Sequence, residues 1–307
     1  MKRDLLSLQD LKNNELVELL ELTEQLKQDC HQLNNQLKGK TVALVFQKPS
    51  NRTRVSFEVG VFQLGGNCLY LGPDEINLGV RESTADVAKT LSRYLDGIVA
   101  RTFTHQDVID LAQHASVPII NGLSDLFHPC QGLADLFSIR EKFGKTEGLT
   151  LAFVGDGNNV CHSLLLGCAK VGINMNVATP PNYEPQKDIV AIAQKYAKET
   201  GAKITLTHSA QDAVKKSDII YSDVWVSMGQ EEESVKRLKD FAGYQINADL
   251  ARSANKDYIF MHCLPAHRGQ EVTTDIIDGP HSIVFDQAEN RLHTQKAILI
   301  FLLAEKP

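Results

Sequence analysis

Residues 41–60 read TVALVFQKPSNRTRVSFEVG, an apolar run, a polar turn and a stretch of helical spacing in direct succession. The run Thr41–Phe46 has no polar alternation, which is the pattern of a strand covered on both faces in a parallel sheet. Pro49 stops the strand, and Ser50 is placed as the N-cap of the helix that follows. Val55, Val59 and Phe62 recur at helical spacing and are expected to form its buried face. Lys48, Arg52 and Arg54, interleaved with Ser50, Asn51 and Thr53, then crowd the turn and the first helical residues. Cations are disfavoured at the positive end of a helix dipole. A bound anion at the carboxyl end of the strand removes the conflict, because helix N-termini present unpaired N–H groups as well as positive charge. The competing reading is that the two arginines pair with acids elsewhere in the fold.

The same alternation continues outward along the chain. Short apolar runs, TVALVF, NCLYL, GIVAR, VPIING, LTLAFVG, INMNVATP, KITLTH, DIIYS, YIFMHC and SIVFD, are separated by segments of helical period. This predicts an α/β protein of two domains, each a parallel sheet with flanking helices in doubly wound order. Leucines at helical spacing in residues 4–37 predict one or two further surface helices. The chain has 307 residues, more than one core usually supports. The charged, Gly-containing stretch REKFGKTEGL (140–149) marks the break. The expected domains are 1–147, joined by a C-terminal helix over 288–307 that packs back on it, and 148–287.

Composition narrows the partners. With a formal net charge of −6, the basic cluster is local, so a small anion suits it and nucleic acid does not. No apolar stretch is long enough for a signal peptide or a membrane span. Six scattered cysteines without a CxxC pair fit free thiols in a reducing cytoplasm and give no support for structural zinc. Two nucleotide motifs fail on spacing. FGKT (143–146) has Ile139 where a phosphate-binding loop needs glycine, and the turn in LTLAFVGDGNNV departs from GxGxxG, with no acid closing the next strand to hold a ribose. That turn instead presents Asn158 and Asn159, which donate and accept hydrogen bonds as a zwitterionic ligand requires.

Three more polar clusters stand at the ends of apolar runs. HPCQGLAD (128–135) opens a helix with Pro129 at its first position, and His128 and Gln131 are placed to face a carbonyl oxygen; a structural histidine is the alternative. Arg101 closes GIVAR and is open to the same two readings. DVWVSMG (223–229) offers Asp223 either as partner of an ammonium group or as a helix cap. HCLPAHRG (262–269) contains a Leu-Pro bond that is a candidate for cis geometry. A His262–Cys263 dyad is geometrically poor because neighbours on a strand face opposite ways.

In order, SxRTR, HPxQxLAD, GDGNN, DxWxSMG, HCLP and AENRxHxQKA span residues 5–303, and this series resembles the aspartate/ornithine carbamoyltransferase family. The SMG loop and His-Cys-Leu-Pro are similar to its ornithine branch. The resemblance implies a transferase of carbamoyl phosphate and L-ornithine, without metal or organic cofactor. Ser50, Asn51, Arg52, Thr53, Arg101, His128, Gln131 and Arg291 would hold carbamoyl phosphate. Asn159, Asp223, Ser227, Met228, Cys263 and Leu264 would hold ornithine, and Arg101, His128 and Cys263 are the catalytic candidates. It also implies a homotrimer or a multiple of trimers, with NLGVREST (77–84) as the loop completing a neighbour's site. Alternatives within the same resemblance are another amine, putrescine or an N-acylated ornithine, and a non-catalytic binding relative. Asn51 departs from the family's usual Thr or Gly at that place.

Overall fold

A computed structural model describes residues 2–29, 33–227, 229 and 231–304. The chain divides into two compact units, Met1–Phe137 with Glu289–Pro307, and Ser138–Ala288.

The first unit contains helix α1 (Asn13–Gln28), then β1 (Thr41–Phe46), α2 (Asn51–Gln63), β2 (Asn67–Leu71), α3 (Pro73–Ile76), α4 (Thr84–Leu91), β3 (Gly97–Arg101), α5 (His105–His114), β4 (Ile119–Leu123) and the start of α6 (Pro129–Phe143). Its four strands are all parallel and lie in the order β2-β1-β3-β4. The central strands β1 and β3 are buried along almost their whole length, as their continuous apolar runs require. Ala43, Val45, Ile98, Ala100 and Ile119 pack with Val87, Val108 and Leu111 of the crossover helices into one core.

The second unit continues with β5 (Thr150–Val154), α7 (Asn159–Lys170), β6 (Asn174–Ala178), α8 (Lys187–Thr200), β7 (Ile204–Thr207), α9 (Ala210–Val214), β8 (Ile219–Ser222), α10 (Ser234–Asp240), α11 (Ala248–Ala251), β9 (Ile259–His262), α12 (Thr274–Ile277) and the start of α13 (Val284–Leu303). Its five parallel strands run β7-β6-β5-β8-β9. Strand order therefore reverses beside β1 in the first sheet and beside β5 in the second, and crevices at such points are where open α/β sheets place ligands.

Two local expectations are corrected. Helix α2 does not bury Val55, Val59 and Phe62: Val55 and Phe62 are 54% and 79% exposed, and the inward face is Thr53, Phe57, Gly60 and Val61. Both sets obey helical spacing, so periodicity alone had no means of choosing. Gly60 favours the second set, since a Cβ there would lie 3.4 Å from Lys296 Cγ on α13; a bare backbone lets the last helix pack close. SIVFD is not a strand. Only Ser282 bridges Phe260, and the chain enters α13 at Val284, ahead of the expected 288. Its buried positions Val284, Gln287, Asn290 and Arg291 follow helical spacing, and Asp286 adds the acid favoured in a first turn. No helix among the described residues is long and apolar enough to cross a membrane.

Candidate functional site

In the first unit, the polar groups gather at the carboxyl ends of β1, β3 and β4. Ser50 caps α2 by accepting a hydrogen bond from the Thr53 N–H at 3.3 Å. Asn51 opens the helix with its side chain exposed, and a residue at that position has a backbone N–H without an intrahelical acceptor. Arg101 ends β3, buried to 7% exposure, opposite Phe46 in register. Arg291 comes from α13 and is also buried. It donates to Gln131 Oε1 at 2.7 Å and to Thr53 Oγ1 at 3.3 Å. Gln131 in turn donates to Asp135 Oδ1 at 2.8 Å, so both ends of its amide are fixed.

His128 lies just ahead of α6, and its carbonyl accepts from the N–H groups of Gln131 and Gly132, each at 3.1 Å. Burial holds its imidazole well below the usual range, and the charges of Arg291, Arg101, Arg52 and Lys48 push in the same direction. The ring is therefore neutral. Four cations bearing on one buried histidine make this a strongly positive region, of the kind in which perturbed groups mark candidate sites. Lys48 shares the effect: burial, then the Arg101 charge, lowers its ammonium to about 8 against a weaker opposing pull from Asp125.

In the second unit, the turns after β5, β8 and β9 meet. Asn158 caps α7, its Oδ1 accepting from the N–H groups of Val160 and Cys161 at 3.0 and 3.1 Å, while its Nδ2 donates to Asp223 Oδ2 at 2.7 Å. The other Asp223 oxygen accepts from the Cys263 thiol at 2.9 Å and from the Val224 N–H at 2.8 Å. Asp223 is thus no helix cap; it is a buried carboxylate at 6% exposure, held by neutral donors. The Cys263 thiol engages Asp223 rather than His262, whose Nδ1 accepts from the Leu264 N–H at 2.9 Å and whose Nε2 faces Glu271 Oε1 at 3.4 Å. Leu264 has a φ of 57° and the Leu264–Pro265 bond is cis. Asn159 opens α7, and Ser227 is half-buried beyond Asp223. Met228 lies outside the described residues.

The Gly-rich turn explains itself. A Cβ on Gly157 would lie 2.2 Å from the Pro185 nitrogen, and the Gly157 N–H donates to the Tyr183 carbonyl at 2.8 Å. Glycine serves here to seat the chain segment 183–185 against the turn. Sequence reasoning did not find the Asn158–Asp223 bond, although an asparagine just before a helix start was a cap signal.

The first unit thus gathers cations suited to an anion, and the second holds the Asp223 carboxylate among neutral hydrogen-bond donors. Residues 3–141 match the model for the aspartate/ornithine carbamoyltransferase carbamoyl-P binding domain, and residues 147–302 match that for the Asp/Orn binding domain of the same family. The chain belongs to the aspartate/ornithine carbamoyltransferase family. It is 54% identical over 303 residues to an ornithine carbamoyltransferase of Thermococcus kodakarensis, covering 98% of this chain and 96% of the relative. It is also 54% identical to one of Methanothermobacter thermautotrophicus, covering 99% of both. The solved ornithine carbamoyltransferase of Pyrococcus furiosus superposes with a TM-score of 0.95 at 52% identity, covering 98% of this chain and 97% of that one.

Proposed function

We infer that the chain is an ornithine carbamoyltransferase, which moves the carbamoyl group of carbamoyl phosphate to the δ-amine of L-ornithine and yields L-citrulline and phosphate. The observation that carries the reading is the cation cluster of the first unit. Arg291 reaches Thr53 and Gln131 from the last helix, and four cations bear on one neutral histidine. The names of relatives at 54% identity point the same way.

In this reading Ser50, Asn51, Arg52 and Thr53 cradle the phosphate, Asn51 through the backbone N–H at the helix start. Arg291 fixes Thr53 and Gln131 while adding its own charge. Arg101 bridges phosphate and carbonyl oxygen, and His128 and Gln131 complete the carbamoyl site. The neutral δ-amine attacks the carbonyl carbon, the carbonyl oxygen takes up negative charge, and the C–O bond to phosphate then breaks as a proton passes from the nitrogen to the departing phosphate. Donors aimed at that oxygen are worth roughly 10²–10³ in rate each, and holding two reactants together contributes on the order of 7–11 kcal/mol.

Asp223 takes the α-ammonium, Asn159, Ser227 and Met228 hold the rest of the amino-acid group, and Cys263 with the Leu264 carbonyl receives the δ-amine. An amine with a reference pKa near 10.4 must be neutral to attack, and a partly desolvated place favours that form. The chemistry asks for no metal or organic cofactor. Exposed Val55 and Phe62 on α2 and Leu69 on the edge strand β2 support assembly with further copies, in line with the trimer that the family resemblance implies. A cytoplasmic place fits the same reading, and the transfer suits arginine synthesis and ornithine-forming catabolism alike. Citrulline formation by the purified protein tests it. Turnover of putrescine, an N-acylated ornithine or aspartate in preference to ornithine would overturn the substrate, and ligand binding without product would overturn catalysis.

A further inference from the structure

Arg237 on α10 is 3% exposed, although it carries no assignment in the chemistry above. Its guanidinium pairs with the Asp156 carboxylate of the Gly-Asp-Gly turn, and its Nε donates to the Trp225 carbonyl at 2.5 Å. The planar cation is also held over two rings, with its carbon 4.8 Å from the Tyr183 centroid and 5.3 Å from that of Phe241. Phe241 in turn lies 5.9 Å from Trp225, ring to ring. Glu233 approaches the same guanidinium at 3.8 Å from a more exposed position. Trp225 stands midway between Asp223 and Ser227 in sequence, so the atom that Arg237 grips belongs to the backbone joining two ornithine-binding candidates. Asp156 lies two residues before Asn158, which itself bonds Asp223.

We propose that Arg237, seated on Asp156, is a positioning residue for the amino-acid site: by fixing the Trp225 carbonyl against the Gly-Asp-Gly turn it sets the spacing between Asp223 and Ser227. The inference rests on the roles given above to those two residues. The short segment from Asp223 to Ser227 has a single aromatic residue, Trp225, and a forked, planar cation satisfies a carboxylate and a carbonyl at once while its faces lie against rings. Lysine has the charge but neither the fork nor the flat face. Burial makes the arrangement demanding, because removing one partner leaves the other's charge unpaired.

The test is steady-state kinetics of the full-length protein with Arg237→Lys, Arg237→Met and Asp156→Asn, alongside thermal unfolding and the emission of Trp225, the chain's one tryptophan. The expected result is an ornithine KM raised about tenfold or more in Arg237→Met, a smaller rise in Arg237→Lys, and a carbamoyl phosphate KM within twofold of the parent, with an altered Trp225 emission maximum. The Asp156→Asn variant should move the same quantities in the same direction, which keeps the proposal testable if Arg237→Met fails to fold. Folded variants with an unchanged ornithine KM overturn the proposal. So does a parallel rise in both KM values with a fall in Tm, which is what a purely structural pair gives. Failure of the underlying reading is distinguishable: Asp223→Asn would then leave the ornithine KM unmoved, whatever the Arg237 variants do to Trp225 emission.

Discussion

The two units place their polar groups at the same point of their parallel sheets, where strand order reverses, yet they build them with opposite chemistry. The first gathers Lys48, Arg52, Arg101 and Arg291 around His128; the second holds one carboxylate, Asp223, with an amide, a thiol and a backbone N–H. A site for a multiply charged anion gathers cations that repel one another when it is empty, and that repulsion adds to burial, the larger cause, in lowering Lys48 and His128. A site for a zwitterion has no such reserve. It depends on neutral hydrogen bonds and one correctly placed acid, so its geometry carries more of the affinity than its charge does.

Removing a cation from the first site should therefore produce the largest effect on catalysis with the least damage to the fold. Arg101→Ala is expected to lower kcat/KM for carbamoyl phosphate by roughly 10³, with Tm unchanged or slightly raised as mutual repulsion is relieved. Arg52→Ala should abolish measurable carbamoyl phosphate binding. Loss of Tm in either variant would make the cluster a structural one and break the contrast. In the second site, Asp223→Asn removes one charge and keeps the shape. Hydrogen bonds to charged groups are worth about 1.5–3 kcal/mol, so the ornithine KM should rise on the order of 10–10²-fold while the carbamoyl phosphate KM stays within twofold. If both KM values move together, the two sites do not bind independently and the comparison fails.

The two sites were also unequally legible in the sequence. The first announces itself because cations at a helix N-terminus contradict the dipole, and Thr41–Phe46 with its Pro49 stop fixes where that helix begins. His128 and Arg101 stand at a helix start and a strand end, which made them candidates but left a structural reading open for each. The family resemblance supplied Arg291, since nothing local to α13 says which partner 160 residues earlier its guanidinium meets. In the second site Asp223 alone was ambiguous between cap and ligand. What argues against the cap is its bond from Asn158, 65 residues away, and such a contact leaves no periodic trace. The misread faces have one cause as well. Helix α2 is apolar on two sides, and SIVFD is too short for its period to be measured, so tertiary packing decided both.

Gly157 offers a smaller perturbation, one of packing rather than charge. The neighbours of an added Cβ are the backbone of Glu184 and Pro185, which cannot rotate aside as a side-chain terminus would. Gly157→Ala should cost about 1–3 kcal/mol of stability, the usual range for overpacking, seen as a lower unfolding midpoint in denaturant. Because the displaced turn also carries Asn158, the ornithine KM should rise with it, and the carbamoyl phosphate KM should not. A variant as stable as its parent would show that the segment 183–185 yields easily and that the glycine is not what seats it.

The smallest expected effect returns to the cationic site and turns on pH. Lys48, beside the Phe103 ring, has its ammonium lowered from 10.5 to about 8, first by burial and then by Arg101. In the empty protein this lysine loses its proton as pH passes 8, whereas a bound phosphate dianion favours the charged form. The carbamoyl phosphate KM should therefore climb above pH 8, approaching tenfold per unit at most, with proton uptake on binding in that range. Stability must move the other way. Between about 8 and 10.5 the unfolded chain holds a proton that the folded chain has shed, so this group's contribution to folding rises with pH through that window. Opposite trends in affinity and stability over one interval are what a phosphate-facing lysine gives and a solvated one does not. Lys48→Arg, charged throughout, should keep the KM flat to pH 10; Lys48→Met should raise it at pH 7 and flatten both curves. A parent enzyme whose KM is already flat between pH 7 and 9 would remove Lys48 from the anion site and leave its charge to be balanced by Asp125 alone.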